Sequence, residues 1–281
     1  MTGHPADPGS GAGPLLGVLL PATALLAVRA LYVLGAALAR HHNPAAGWSR
    51  LRTGWFLCGL GLLGLALLPP VASFAYEDFR GHMLQHLLIG MYAPLALVLG
   101  APVTLLLRTL PVRHARRLSR ALRSRPVHVC AHPATALLLG VGSLVALYFT
   151  PLYFTPLYGA TAGHGPLHHV LHAHFLLSGA LFVRSVAGPD PGPARPGVPA
   201  RRVVLGVAIA AHATVAQMMY AGLHLHVRAP LEQIRGGAEL MYYGGDIAEL
   251  LLAAALVATW RPTRRTPRAL LAGGGRRTVR K

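Results

Sequence analysis

The chain carries seven long apolar blocks, at roughly 15–39, 53–73, 82–107, 131–150, 166–187, 202–222 and 238–260. Each is close to the ~20 residues that a helix needs to cross ~30 Å of hydrocarbon. Backbone groups in lipid have no water to bond to, so a crossing segment must satisfy them internally, and an apolar block does so as a helix. Composition agrees: 12% of residues are charged, against about 25% in a soluble domain. These features predict an all-α integral membrane protein with seven transmembrane helices in one domain over 15–260. A short outer tail at 1–14 and a basic tail at 261–281 flank it. Pro21, Pro94 and Pro133 fall inside blocks and are expected to kink the helices rather than end them.

The formal net charge of +18 gives the topology. All but four of the 26 Lys and Arg residues lie in alternate connections or in the tail. Arg40, Arg50 and Arg52 follow the first block, a run of arginines spans 108–125, Arg184, Arg195, Arg201 and Arg202 follow the fifth, and the rest come after Trp260. The exceptions are Arg29, Arg80, Arg228 and Arg235. By the positive-inside rule the N-terminus is outside and the C-terminus cytoplasmic, which an odd number of crossings requires. The basic excess is therefore a topology signal, with the lipid bilayer as its partner and no nucleic acid expected. The first 14 residues contain no Lys or Arg. Without a positive n-region the first block reads as a retained span.

Abundant Arg, Ala, Gly and Pro beside a single Lys suggest a GC-rich bacterial genome, hence a multi-pass protein of a bacterial plasma membrane. Cys58 and Cys130 are far apart and form no CxxC or disulfide framework. "VRHARRLSRALRSR" places Arg113, Arg116, Arg120 and Arg123 at helical spacing, as in a surface helix resting on anionic headgroups. The repeated FTPLY after the fourth block fits an interfacial aromatic belt. No P-loop, GxGxxG or GxSxG is present, and the chain does not read as an enzyme.

The histidines carry the chemical signal. His82 and His86 open the third block at i, i+4 spacing, sharing one helix face. His168 and His172 repeat that spacing at the head of the fifth, among His164, His169 and His174. In the sixth, His212, Met219 and His226 fall seven residues apart, with Met218 and His224 alongside. An i, i+4 histidine pair can chelate one metal ion. No HExxH exists, so a metalloprotease lacks its general base. Mixed imidazole and thioether donors suit copper, and thioethers favour Cu(I). The expected metal residues are His82, His86, His168, His172, His212, Met218 and Met219, with Met83, His169, His224 and His226 secondary. The alternative for each pair is hydrogen-bonded interfacial polarity, and for each methionine it is packing. In the seventh block Glu239, Tyr242, Asp246 and Glu249 form a polar stripe. Intramembrane carboxylates seek a partner, and Arg29 lies at a similar predicted depth to Glu249, so the two are expected to pair.

"HMLQHLLIGMYAPLALVLGAPVTLLLRTLP", "YFTPLY", "HHVLHAHFLLSGALF", "HATVAQMMYAGL" and "EQIRGGAELMYYGGDIAE" follow in that order. Together they resemble the CtaG-like multispan family of cytochrome c oxidase assembly factors, associated with caa-type oxidases in bacteria. The resemblance covers about residues 15–260. It implies a role in forming the copper-containing oxidase, support of copper delivery to its outer-facing site, and matching positions at His82, His86, His172, His212, Met218, Met219 and Asp246. It also implies oxidase subunits or a periplasmic copper chaperone as partners, with transiently bound copper as Cu(I). A copper permease and a membrane haem or quinone oxidoreductase are the alternatives. The first predicts ligands continuing through the membrane, and the second predicts histidines facing each other as axial ligands.

Overall fold

The computed structural model describes residues 12–45, 47–149, 166–191, 196–223, 227 and 229–259. Among the described residues every regular element is a helix. Helix α1 is Ala12–His42, α2 is Arg50–Leu67 and α3 is Val71–Glu77. Helix α4 covers Phe79–Leu99 with a π-helical turn at Leu88–Tyr92. Three shorter helices follow: α5 (Pro102–Thr109), α6 (Val112–Leu122) and α7 (Arg125–Cys130). Helix α8 begins at Pro133–Leu137, passes through a π-turn at Leu138–Gly142 and continues as Ser143–Phe149. The last three are α9 (Pro166–Val186), α10 (Val198–Tyr220) and α11 (Leu231–Ala258).

Among the described residues, each of the seven apolar blocks is helical over most of its length. Four helices, α1, α4, α10 and α11, are long and apolar enough to cross a membrane, and α2 with α3 makes a fifth if that pair, bent by 41°, is one span. The apolar part of α8, Pro133–Leu147, is shorter. Helix α9 has 21 residues, but His168, His169, His172 and His174 dilute its first half.

Several boundaries differ from the sequence expectation, each for a local reason. The third block is not one helix over 82–107. Helix α4 stops at Gly100, Ala101 takes a left-handed conformation (φ 54°), and α5 starts at Pro102. A residue before proline avoids the right-handed helical region. Pro69 and Pro70, which cannot donate a helical hydrogen bond, separate α2 from α3. Pro133 does not kink a helix but starts one, with the His132 ring accepting from the Ala134 N–H at 3.2 Å. Pro94 is preceded by the π-turn of α4. Having no N–H, it leaves the Gly90 carbonyl without its ordinary i+4 donor, and a wider turn accommodates that defect.

Helix α4 is the hub, packed against α2, α3, α9 and α11. Of its membrane-length window 61% is buried, against 6% for α1. Helix α1 is the peripheral element and leaves Leu19, Leu20, Leu26, Leu31 and Leu34 exposed, a surface suited to lipid. It is anchored by Tyr32, whose ring stacks on Phe56 at 3.8 Å. The Tyr32 hydroxyl donates to the Gly100 carbonyl at 2.7 Å and accepts from Trp48 Nε1 at 3.2 Å. This placement corrects the expected Arg29–Glu249 pair. Arg29 is exposed on α1, which packs on α2 and α5, whereas Glu249 is buried on α11 beside His212.

Helix α11 lies close to the hub because its contact face is glycine. A Cβ at Gly237 would stand 2.8 Å from the Phe79 ring, and one at Gly244 would stand 2.7 Å from Leu87. Small residues at such positions let membrane helices approach. The start of α4 is held from both sides. Gln233 on α11 accepts the Phe79 N–H at 3.3 Å, and Asp78 accepts the Arg80 N–H at 2.8 Å. The Arg80 guanidinium also donates to Asp78, at 2.6 Å for its shortest bond, and these bonds hold the carboxyl below the usual carboxylate range. A carboxylate stabilised this way supports the fold above its unfolded pKa, and that support is lost as pH falls through the lowered folded value. Asp78→Ala is expected to cost about 1 kcal/mol as a lost N-cap. The check is a lower thermal unfolding midpoint in detergent at neutral pH, with the gap to wild type closing in acid.

Candidate functional site

Helices α4 and α9 begin at the same end of the bundle, and that brings the two histidine pairs together. His82 and His86 from α4 and His168 and His172 from α9 line a single cavity with Gln85, Ile89, Leu147, Leu171 and Phe175. It holds about 360 Å³ of space between atoms, including its mouth. The His168 and His172 rings are 4.1 Å apart between centroids. The His168 ring is also 5.5 Å from Tyr76. His86 stands edge-on to Phe175 at 4.5 Å, and His82 lies nearly parallel to Phe79 at 6.0 Å.

Burial sharpens the chemistry. His168 is 5% exposed and Gln85 2%. The Gln85 amide donates to the Ala66 carbonyl at 2.8 Å, while its Oε1 and the Nδ1 of His172 are buried with no protein hydrogen-bond partner. Buried polar atoms are ordinarily paired, so two orphans on one cavity mark it as a place for a polar or cationic guest. Gln85 was absent from the sequence candidates. Its signal was a polar residue three positions after His82 inside an apolar helix. Among the described residues, no three His, Cys, Asp or Glu side chains stand in mutual metal-binding geometry. The four imidazoles share a cavity without converging on a point.

The remaining candidates scatter. His169 is exposed on α9. Met83 and Met219, with Met241, are fully buried in the apolar core with Phe79, Val215 and Ile234, and they line neither this cavity nor a second, deeper one. Their position is that of packing groups. Met218 is half-buried at the end of α10. His164, His224 and His226 lie outside the described residues, as do residues 1–11, the FTPLY repeat beyond Phe149 and the basic tail. His212 does not join the four histidines. It lines the deeper chamber, with Glu249 Oε1 at 3.9 Å from its Nδ1. Along the expected carboxylate stripe, Glu239 is exposed, Tyr242 and Asp246 are half-buried, and Glu249 is 4% exposed.

His174 has a different task. Its Nε2 lies 2.9 Å from Ser143 Oγ and 3.2 Å from the Leu139 carbonyl, and the Ser143 hydroxyl donates to that same carbonyl. The Leu139 carbonyl is in the π-turn of α8 and Ser143 follows it directly, so α9 covers a polar defect of its neighbour. The other π-turn is met in the same way. A Cβ at Gly179 would collide with the Gly90 carbonyl, so only glycine lets α9 seat against α4. His174→Ala is expected to destabilise the protein by about 0.5–1.5 kcal/mol, the net worth of a lost hydrogen bond, since Ser143 still donates to the Leu139 carbonyl. His169→Ala at its exposed position is expected to stay within about 0.5 kcal/mol of wild type. Thermal unfolding of the two variants in the same detergent checks both.

A four-imidazole cavity at one end of a polytopic helical bundle narrows the field, and comparison with known proteins decides it. The model of the cytochrome c oxidase caa3 assembly factor family, Caa3_CtaG, matches residues 30–263. The chain belongs to this family. Both histidine pairs, the two π-turns and the His212–Glu249 contact fall within the matched span. An uncharacterized protein of Mycobacterium tuberculosis is 35% identical over 185 residues, which is 63% of this chain and 27% of that protein. An uncharacterized protein of Mycobacterium leprae is 30% identical over 249 residues, 82% of this chain and 37% of that protein. The chain thus spans little more than a third, at most, of these longer relatives. No solved structure matches it.

Proposed function

We propose that this protein is a seven-span, non-catalytic assembly factor of a bacterial plasma membrane. In this reading it holds Cu(I) transiently in the four-histidine cavity and yields it to a subunit of cytochrome c oxidase. The cavity itself carries the reading, since His82, His86, His168 and His172 come from two helices and line one space with an unpartnered imidazole nitrogen among them. Imidazole is a borderline ligand that accepts copper, and an arrangement that has not converged favours exchange over storage. The basic connections put the cavity on the outer side by the positive-inside rule, where a receiving copper centre or a periplasmic copper chaperone would have access. Rotation of the four side chains closes the ligands on the ion, and stepwise exchange with the partner's ligands releases it. No electron is transferred and no bond other than metal–ligand bonds is made.

Protons and copper compete for the same nitrogen lone pairs, so affinity falls as pH falls. The test is an anaerobic Cu(I) titration of purified protein against a chromophoric chelator. Wild type is expected to bind tightly, and His168→Ala/His172→Ala is expected to weaken the site at least about tenfold, or about 1.4 kcal/mol. Unchanged affinity in the double variant would remove the four-histidine site from the mechanism.

A further inference from the structure

The deeper chamber lies among α4, α8, α9, α10 and α11 and encloses about 590 Å³ between atoms, part of it open. Its walls are mostly apolar, but His86, Met91, His212 and Glu249 face it, as does Ser178, whose hydroxyl donates to the Phe175 carbonyl. His212 and Glu249 are 7% and 4% exposed. Neither nitrogen of His212 nor Oε2 of Glu249 has a hydrogen-bond partner in the protein, and the nearest approach between them, 3.9 Å, is longer than a hydrogen bond. Carboxylates and imidazoles inside a membrane domain are costly and mark places where ions are held or moved. The protein also spends backbone space on this pair. The His212 ring occupies the position a Cβ at residue 245 would take, so Gly245 is the floor on which the ring rests.

Two features tie this chamber to the outer cavity. His86 lines both. Met91 is five residues further along α4, about 140° away around a regular α-helix. The π-turn at Leu88–Tyr92 widens the winding there, and Met91 faces the same chamber as His86.

From this geometry we infer that the chamber is a second station for a soft monovalent cation, bound by His212 and Met91 with Glu249 as counter-charge, and that His86 relays the ion between the stations. Thioether and imidazole together are a soft, low-coordinate donor set, which needs no third His, Cys, Asp or Glu. Glu249 offsets the charge of an ion that would otherwise sit bare in a low-dielectric interior. The inference rests on the copper-handling reading and adds a ligand set with sulfur, where the outer cavity has only nitrogen and oxygen donors.

The experiment uses the full-length chain in lipid nanodiscs, titrated anaerobically with Cu(I) and examined by copper K-edge X-ray absorption. Wild type is expected to take up two equivalents, with a copper–sulfur contribution in the spectrum. Met91→Leu, which conserves volume, is expected to lose one equivalent and the sulfur contribution, and His212→Gln is expected to lose the same equivalent. His168→Ala/His172→Ala is expected to lose the other equivalent and keep the sulfur signal. A single equivalent whose spectrum is unchanged by Met91→Leu and His212→Gln overturns the inner station while leaving the outer site standing. The reverse outcome, stoichiometry unchanged in His168→Ala/His172→Ala but reduced by Met91→Leu, supports the inner station and removes the outer one. Size-exclusion profiles and unfolding midpoints matching wild type establish that each variant is folded.

Discussion

The contact between the Gly90 carbonyl and Gly179 holds the site together. Pro94 removes the donor that this carbonyl would use in a regular helix, and the chain answers with a π-turn over Leu88–Tyr92. In hydrocarbon such a defect is tolerated only where protein covers it. Helix α9 covers it by bringing the backbone of Gly179 so close that no side chain fits between. That approach fixes α9 alongside α4, and with it the position of His168 and His172 beside His82 and His86. The same helix covers the second π-turn through His174. Two irregular turns and one helix that covers both thus define the space between them.

The polar groups of the membrane domain divide by what they do there. Tyr32, Asp78, Gln233 and His174 close hydrogen bonds that the backbone leaves open at helix ends and π-turns. His172, Gln85, His212 and Glu249 keep buried atoms without a protein partner, and all four face cavities. The second group cannot be accounted for by stability, since an unpaired buried polar atom costs about 1–3 kcal/mol. Under the proposed function these are the groups assigned to the ion and its counter-charge, and membership of the caa3 assembly factor family gives that proposal its setting.

The methionines show that residue type alone does not identify a ligand. A seven-residue step returns a helix to nearly the same face, so His212 and Met219 looked like one ligand stripe. They do share a face of α10, but two turns separate them. At the level of Met219 that face meets Phe79, Met83 and Met241 in the apolar core, whereas at His212 it meets a chamber. Met91, absent from the expected ligands, faces the chamber because of a π-turn that no residue pattern announced beyond the following Pro94.

The all-helical character of the apolar blocks, the i, i+4 histidine pairs and the clustering of arginine in alternate connections were legible in the sequence, because they follow from hydropathy, helical periodicity and charge. Which helices touch was not legible, since identical apolar faces pair with lipid or with protein equally well. Arg29 illustrates the difference. Depth along the chain matched it to Glu249, but α1 sits at the edge of the bundle and Glu249 turns toward His212. Only the tertiary structure decided that the four opening histidines meet in one cavity and that His86 borders a second. The physical reason is close packing: glycines on α9 and α11 set how near the helices come, and that distance determines which side chains share a space.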